Sequence, residues 1–166
     1  DSGDYRRAME DCDKSIRIDP KRVATYVNRG LVHLRLVELD RAIEDFDKAL
    51  HLDPDNVSAL INRCGAWWSK GGTENYDRAI ADCDKAIRLN PNSSLAFTNR
   101  GNAYAHKRQY DRAIDDYTQA IRINDKTALA FMGRGVVYYD LGQHERAIAD
   151  FNRTISLDPN EHRAYI

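Results

Sequence analysis

Three asparagines and four arginines, side chains rich in hydrogen-bonding groups, recur in this chain at nearly constant intervals. Asn28, Asn62 and Asn99 lie 34 and then 37 residues apart, and each is followed directly by an arginine: Arg29, Arg63 and Arg100. A fourth arginine, Arg134, follows Gly133 where the series would place an asparagine. A primary amide both donates and accepts hydrogen bonds, so a row of them can hold the peptide groups of an extended ligand. The same row could instead make local helix-to-helix bonds. A guanidinium can fork onto a carboxylate, and Asp11, Asp45, Asp82, Asp116 and Asp150 recur with the same rhythm. The expected pairing ties each arginine to the aspartate of the preceding unit: Arg29 to Asp11, Arg63 to Asp45, Arg100 to Asp82 and Arg134 to Asp116. Four equivalent opportunities favour a structural ladder over four anion sites.

Catalytic chemistry finds less support. The chain has no glycine-rich phosphate loop, no serine elbow and no zinc-enzyme signature. His33, His51, His106, His144 and His162 do not recur with acidic or nucleophilic partners at a useful spacing. Asp115 and Asp116 are adjacent, and neighbours on a helix point apart. The expectation is a chain without catalytic residues, cofactor or metal site. Cys12, Cys64 and Cys83 form an odd set without paired spacing, so the reading favours small buried hydrophobes over a disulfide framework.

The elements that must position these residues follow from a repeat. Ala42-Ile43, Ala79-Ile80, Ala113-Ile114 and Ala147-Ile148 recur at spacings of 37, 34 and 34 residues. Asp19-Pro20, Asp53-Pro54, Asn90-Pro91 and Asp158-Pro159 close successive units. A period in this range belongs to helical solenoids, whose units cannot bury their apolar faces alone. In the unit 23–56, Val23 to about Leu36 reads as a first helix with Tyr26, Gly30 and His33 on one face. Asp40 is placed to cap a second helix that buries Ala42, Ile43, Phe46, Ala49 and Leu50 and stops at Asp53-Pro54. The same pattern predicts first helices near 57–70, 94–107 and 128–141, and second helices near 4–18, 74–89, 110–123 and 144–157. Residues 161–166 read as the start of a tenth helix. Gly30, Cys64, Gly101 and Gly135 share one first-helix position, where a partner backbone or ring needs the space. Trp67 belongs to the packed series of Tyr104 and Tyr138, whereas Trp68 lies nearer an exposed face.

In these features the chain resembles the tetratricopeptide repeat (TPR) proteins over essentially its whole length. The resemblance rests on Tyr26, Leu60, Phe97 and Phe131, the small residues above, Ala8, Ala42, Ala79, Ala113 and Ala147, and the closing prolines. It implies an all-α, right-handed alpha-alpha superhelix of antiparallel helix pairs, with first helices lining a concave face. The expected organisation is a single solenoid domain over 1–166. It comprises a partial repeat at 1–22, repeats at 23–56, 57–93, 94–127 and 128–161, and a further start at 162–166. Both ends read as cut from a longer array. The departures are three extra residues within 70–76, read as an enlarged loop, Cys64 for glycine, Asn124-Asp125 for the closing pair, and Thr154 for alanine.

The resemblance implies a protein or peptide partner held in the groove, with Asn28, Leu31, Asn62, Trp68, Asn99, Asn102, Val136 and Tyr139 as the contact residues. Val27 and Leu31 stand where some relatives carry a charged clamp for a terminal carboxylate, so an apolar segment or helix is the expected ligand. An architectural role, spacing domains or self-associating through exposed solenoid ends, is the alternative. The 25 basic and 26 acidic residues nearly cancel, which gives no general attraction for nucleic acid or an anionic membrane. No apolar run approaches the roughly 20 residues of a membrane helix. The expected location is the cytoplasm.

Overall fold

The computed structural model describes residues 2–158, with side chains from residue 4 onward. Among the described residues there are nine α-helices and no strand. They are α1 (Ser2–Ile18), α2 (Val23–Arg35), α3 (Leu39–Leu52), α4 (Val57–Lys70), α5 (Thr73–Leu89), α6 (Ser94–His106), α7 (Tyr110–Ile123), α8 (Ala128–Asp140) and α9 (His144–Leu157). The predicted tenth helix lies outside the described residues.

The helices fall into two compact units, residues 1–89 and residues 90–166. In the first, α1 packs on α2, α2 on α3, α3 on α4 and α4 on α5, and the first helices α2 and α4 also touch. In the second, α6 packs on α7, α7 on α8 and α8 on α9, and α6 touches α8. Each unit is thus a stack of antiparallel helix pairs, as the apolar periodicity requires.

Small residues set the closeness of each pair. Ala42, Ala79 and Ala113 are completely buried, and Ala147 nearly so. A Cβ on Gly30 would come within 2.6 Å of the Phe46 ring, one on Gly101 within 2.9 Å of Tyr117, and one on Gly135 within 2.8 Å of Phe151. The recurring glycines therefore make room for a ring, at about 1 kcal/mol each in helix propensity.

The pair α4–α5 departs from this rule. Cys64 and Cys83 form a disulfide across the two helices, with both residues fully buried. The expectation of unpaired buried cysteines fails for these two because linear spacing does not reveal which positions of two antiparallel helices face each other. Cys12 remains a free thiol, half-buried. Burial pushes its pKa up, and Arg29 opposes the shift.

The turns explain three further differences. The extra residues near position 73 extend α5 at its start: α5 has 17 residues where α3 and α7 have 14, and only Gly71 and Gly72 connect it to α4. Helix continuation satisfies backbone groups that an enlarged loop would leave to water. Asp40 lies inside the first turn of α3 and caps nothing, whereas Asn56 and Ser93 cap α4 and α6 by accepting from the amides of Ala59 and Ala96. Asn124 replaces the closing aspartate without loss, because its Oδ1 accepts from the Lys126 amide as Asp19 Oδ1 does from Lys21. The turn position occupied by Gly142 (φ 72°) is filled by Val37 (φ 60°) and Arg108 (φ 57°), both in a left-handed conformation.

Candidate functional site

The arginine series is structural, but its geometry differs from the expected pairing. Each arginine forks onto the aspartate of its own helix pair. Arg29 donates from Nε and a terminal nitrogen to Asp45 at 2.8 and 2.7 Å, and Arg63 to Asp82 at 2.7 and 2.7 Å. Arg100 does the same with Asp116 at 2.7 and 2.6 Å, and Arg134 with Asp150 at 2.8 and 2.8 Å. A third nitrogen reaches back to the preceding second helix, at a different residue from the expected one. It finds Asp13 from Arg29, Asp47 from Arg63 and Thr118 from Arg134. The sequence had the spacing of these residues but not the rotation of the second helices, which brings Asp13 rather than Asp11 to Arg29.

These clamps are shielded from water. The Asp45 side chain is 4% exposed and that of Arg29 19%. Hydrogen bonding to Asp45 raises the Arg29 pKa against the opposing effect of burial. Burial also opposes ionisation of Arg63, but the bonds and charge of Asp82 outweigh it. Breaking such a pair leaves the partner as an uncompensated, largely buried charge.

One histidine does meet carboxylates, contrary to the reading of the sequence. His33 is buried, with Nδ1 2.6 Å from Glu38 Oε2 and Nε2 3.7 Å from Asp45 Oδ2. The bond from His33 holds the Glu38 carboxyl below its usual range. No cysteine, serine or threonine accompanies His33 in these bonds, so the arrangement extends the Arg29–Asp45 clamp.

The candidate contact residues separate by unit. In residues 1–89, Asn28 and Leu31 are exposed on α2, while Asn62 and Trp68 are half-buried on α4. The Asn62 amide donates to the Ser58 carbonyl at 2.8 Å, a bond within α4 itself rather than the helix-to-helix bond of the alternative reading. Trp67 is also half-buried, with the Arg78 guanidinium 4.9 Å from its ring centre.

In residues 90–166 an open cleft of ≈ 560 Å³ gathers Asn102 and Val136 from the candidate set, with Met132, Gly133, Tyr117 and Phe151. This volume lies in the range of sites that hold ligands or peptide side chains. Tyr117 is nearly fully buried, and its hydroxyl donates to Asn102 Oδ1 at 2.7 Å. Burial pushes the Tyr117 phenol pKa up, and Asp116 adds to the shift. Gly133 is the key to the opening: a Cβ there would come within 2.6 Å of the Tyr117 ring. Its counterpart Asn99, in the same unit, is buried. Val136 is exposed at the cleft, while Tyr139 projects from α8, largely exposed, beside the His144 ring at 5.6 Å. His106, Tyr110 and Asp140 form the polar edge. In the sequence Gly133 is marked only as a missing asparagine; the signal is the loss of a side chain from a position that otherwise carries one.

Profiles of the tetratricopeptide repeat match residues 23–56, 94–126 and 128–161, and a second profile of the same repeat matches 70–93. The chain belongs to the tetratricopeptide repeat family, and its fold is the all-α solenoid of that family, an architecture used as a scaffold for protein–protein interaction. Among solved structures, TTC0263, a thermophilic TPR protein of Thermus thermophilus, is similar with a TM-score of 0.83 and 18% identity, over 97% of this chain and 87% of that one. MamA matches with a TM-score of 0.77 and 23% identity, over 98% and 93%. YrrB, a TPR protein with an unusual peptide-binding site, matches with a TM-score of 0.70 and 21% identity, over 99% and 86%. These likenesses establish the fold. No curated protein matches the chain by sequence. Among the described residues no helix is long and apolar enough to cross a membrane, and no cluster of three or more potential metal ligands occurs.

Proposed function

We propose that this chain is a non-catalytic scaffold that holds an extended peptide or helix of a protein partner. The observation that carries the proposal is the Gly133 cleft, in which apolar side chains surround an open volume with a polar edge. An apolar side chain of the partner enters over Tyr117, and Asn102 and the polar edge meet the adjoining backbone. Val136 and Tyr139 extend this contact along α8. In residues 1–89 the corresponding contacts are Asn28, Leu31, Asn62 and Trp68. The peptide-binding site in the name of the structurally similar YrrB supports this reading. The near balance of charge supports a protein partner over nucleic acid or membrane. The repeat organisation expected from the sequence is part of the same proposal. Self-association through the solenoid ends is the competing mode, and sedimentation across concentrations separates it from peptide binding. The expected cytoplasmic location stands against the Cys64–Cys83 bond, because disulfides persist mainly in oxidising compartments.

The test begins with selection of peptides from a displayed library on the intact chain, followed by calorimetry. Gly133→Leu fills the cleft and Val136→Asp charges its wall. Each should weaken the selected peptide at least tenfold, about 1.4 kcal/mol, with helicity retained. Equal binding to folded variants rejects the cleft as the site. Asn28→Ala, Asn62→Ala and Asn99→Ala combined should also weaken a backbone-bonded peptide; unchanged binding rejects the asparagine row as a recognition device.

A further inference from the structure

The helix pairs of this protein face a small residue with a ring: Gly30 with Phe46, Gly101 with Tyr117, and Gly135 with Phe151. In the pair α4–α5 both partners are changed at once, to Cys64 and Cys83, and a covalent bond spans the position where the other pairs stack a ring on a glycine. A single exchange would fit poorly. A Cβ opposite a ring collides, as the 2.6–2.9 Å approaches show, whereas glycine opposite Cys83 would leave a gap. Once reduced, the two cysteine side chains supply no ring to fill the interface. The difference between oxidised and reduced protein is therefore concentrated in this helix pair. The same pair is joined by Gly71 and Gly72, at φ of 76° and 92°. Two glycines in that conformation let α4 and α5 part without straining a side-chain-bearing residue.

We propose that Cys64 and Cys83 form a reversible thiol–disulfide couple that controls how firmly α4 is held to α5. The reaction partner is a small thiol and its disulfide, of the glutathione class. In oxidation, one cysteine thiolate attacks a sulfur of the small disulfide, breaks its S–S bond and expels one small thiolate. The second cysteine thiolate attacks the protein sulfur of the mixed disulfide and expels the other. Two protein thiols lose two protons and two electrons, and the small disulfide becomes two thiols; reduction is the reverse. Both sulfurs are buried, so exchange proceeds through opening of the pair.

The experiment equilibrates the intact chain in buffers of reduced and oxidised glutathione, then quenches with an alkylating mass tag in denaturant. One tag, on Cys12, is expected at the oxidising end and three at the reducing end, and the change should reverse. Hydrogen exchange of α4 and α5 should accelerate about a hundredfold on reduction, the scale of opening a 19-residue loop, while α8 and α9 stay unchanged. The variant Cys64→Gly with Cys83→Phe restores the repeat pattern and should fold with no redox dependence in exchange. Three tags under every buffer, or identical exchange of α4 and α5 in the one-tag and three-tag forms, would overturn the proposal. So would a redox response surviving in the double variant, since it would then arise from Cys12. None of these outcomes depends on whether a peptide binds the Gly133 cleft.

Discussion

The two units solve the same packing problem with different means. In residues 1–89 the clamps of Arg29 and Arg63 each engage two carboxylates, and a disulfide replaces one glycine–ring contact. In residues 90–166 the clamp of Arg134 engages one carboxylate and a threonine, both pairs keep the glycine–ring contact, and Gly133 leaves room beside the Tyr117 ring at an open cleft. One repeat pattern thus yields two units that both carry arginine clamps, one of them also cross-linked by a disulfide and the other leaving apolar surface accessible. Side chains at a few register positions, with no change of fold, decide which result appears.

The largest effect that separates the units concerns the clamps. Asp150→Ala leaves Arg134 with no carboxylate, only Thr118 and the Phe131 and Tyr138 rings, and should cost about 3–5 kcal/mol by chemical denaturation. Asp45→Ala leaves Arg29 bound to Asp13, and the loss should be smaller by about 1 kcal/mol. Equal losses would mean that the second carboxylate adds nothing and would remove this part of the contrast.

A smaller effect tests the ring contacts. Gly101→Ala drives a methyl group toward Tyr117 at 2.9 Å. Overpacking costs about 1–3 kcal/mol and helix propensity returns about 1, so a net destabilisation of roughly 1 kcal/mol is expected in residues 90–166. A stabilised variant would show that the ring yields freely and that the glycine is not required for packing.

Alkaline pH acts on the same ring. The Tyr117 pKa is raised in the folded protein, so its contribution is fully present below the ordinary value of 10.0 and is lost as pH rises through the folded value. Stability to chemical denaturation should therefore fall above pH 10, and Tyr117→Phe should flatten that fall. An unchanged alkaline response in the variant would assign it to other groups.

The smallest effect lies in the turns. Val37→Gly should stabilise residues 1–89 by about 1 kcal/mol, because a β-branched residue there holds φ at 60°. Gly142→Val should destabilise the other unit by a similar amount. Thermal melts of the two variants shifting in the same direction would show that the turns are not equivalent.

The helices were legible residue by residue because their apolar period, glycine positions and closing Asp-Pro or Asn-Pro pairs are local patterns. Ala42, Phe46 and Gly30 announce their burial through spacing alone. The pattern places the second helix of this unit at 74–89, within one residue of α5 (Thr73–Leu89), and misses only that the extra residues lengthen that helix rather than its loop, because insertion length does not say where a helix begins. The arginines and aspartates were correctly paired by type and mispaired by position. The rotation of one helix about its axis, which separates Asp11 from Asp13, is set by packing across the interface.

The repeat, the helix order and the family are written into the order of residues, since each follows from residue types at fixed separations along one chain. So is the break that Gly133 makes in the asparagine series. That this break opens a cleft beside Tyr117, that Cys64 meets Cys83, and that His33 lies between Glu38 and Asp45 emerges once the helices pack. Those outcomes depend on which faces of neighbouring helices meet, a relation between residues far apart in the chain that side-chain volume and charge settle in three dimensions.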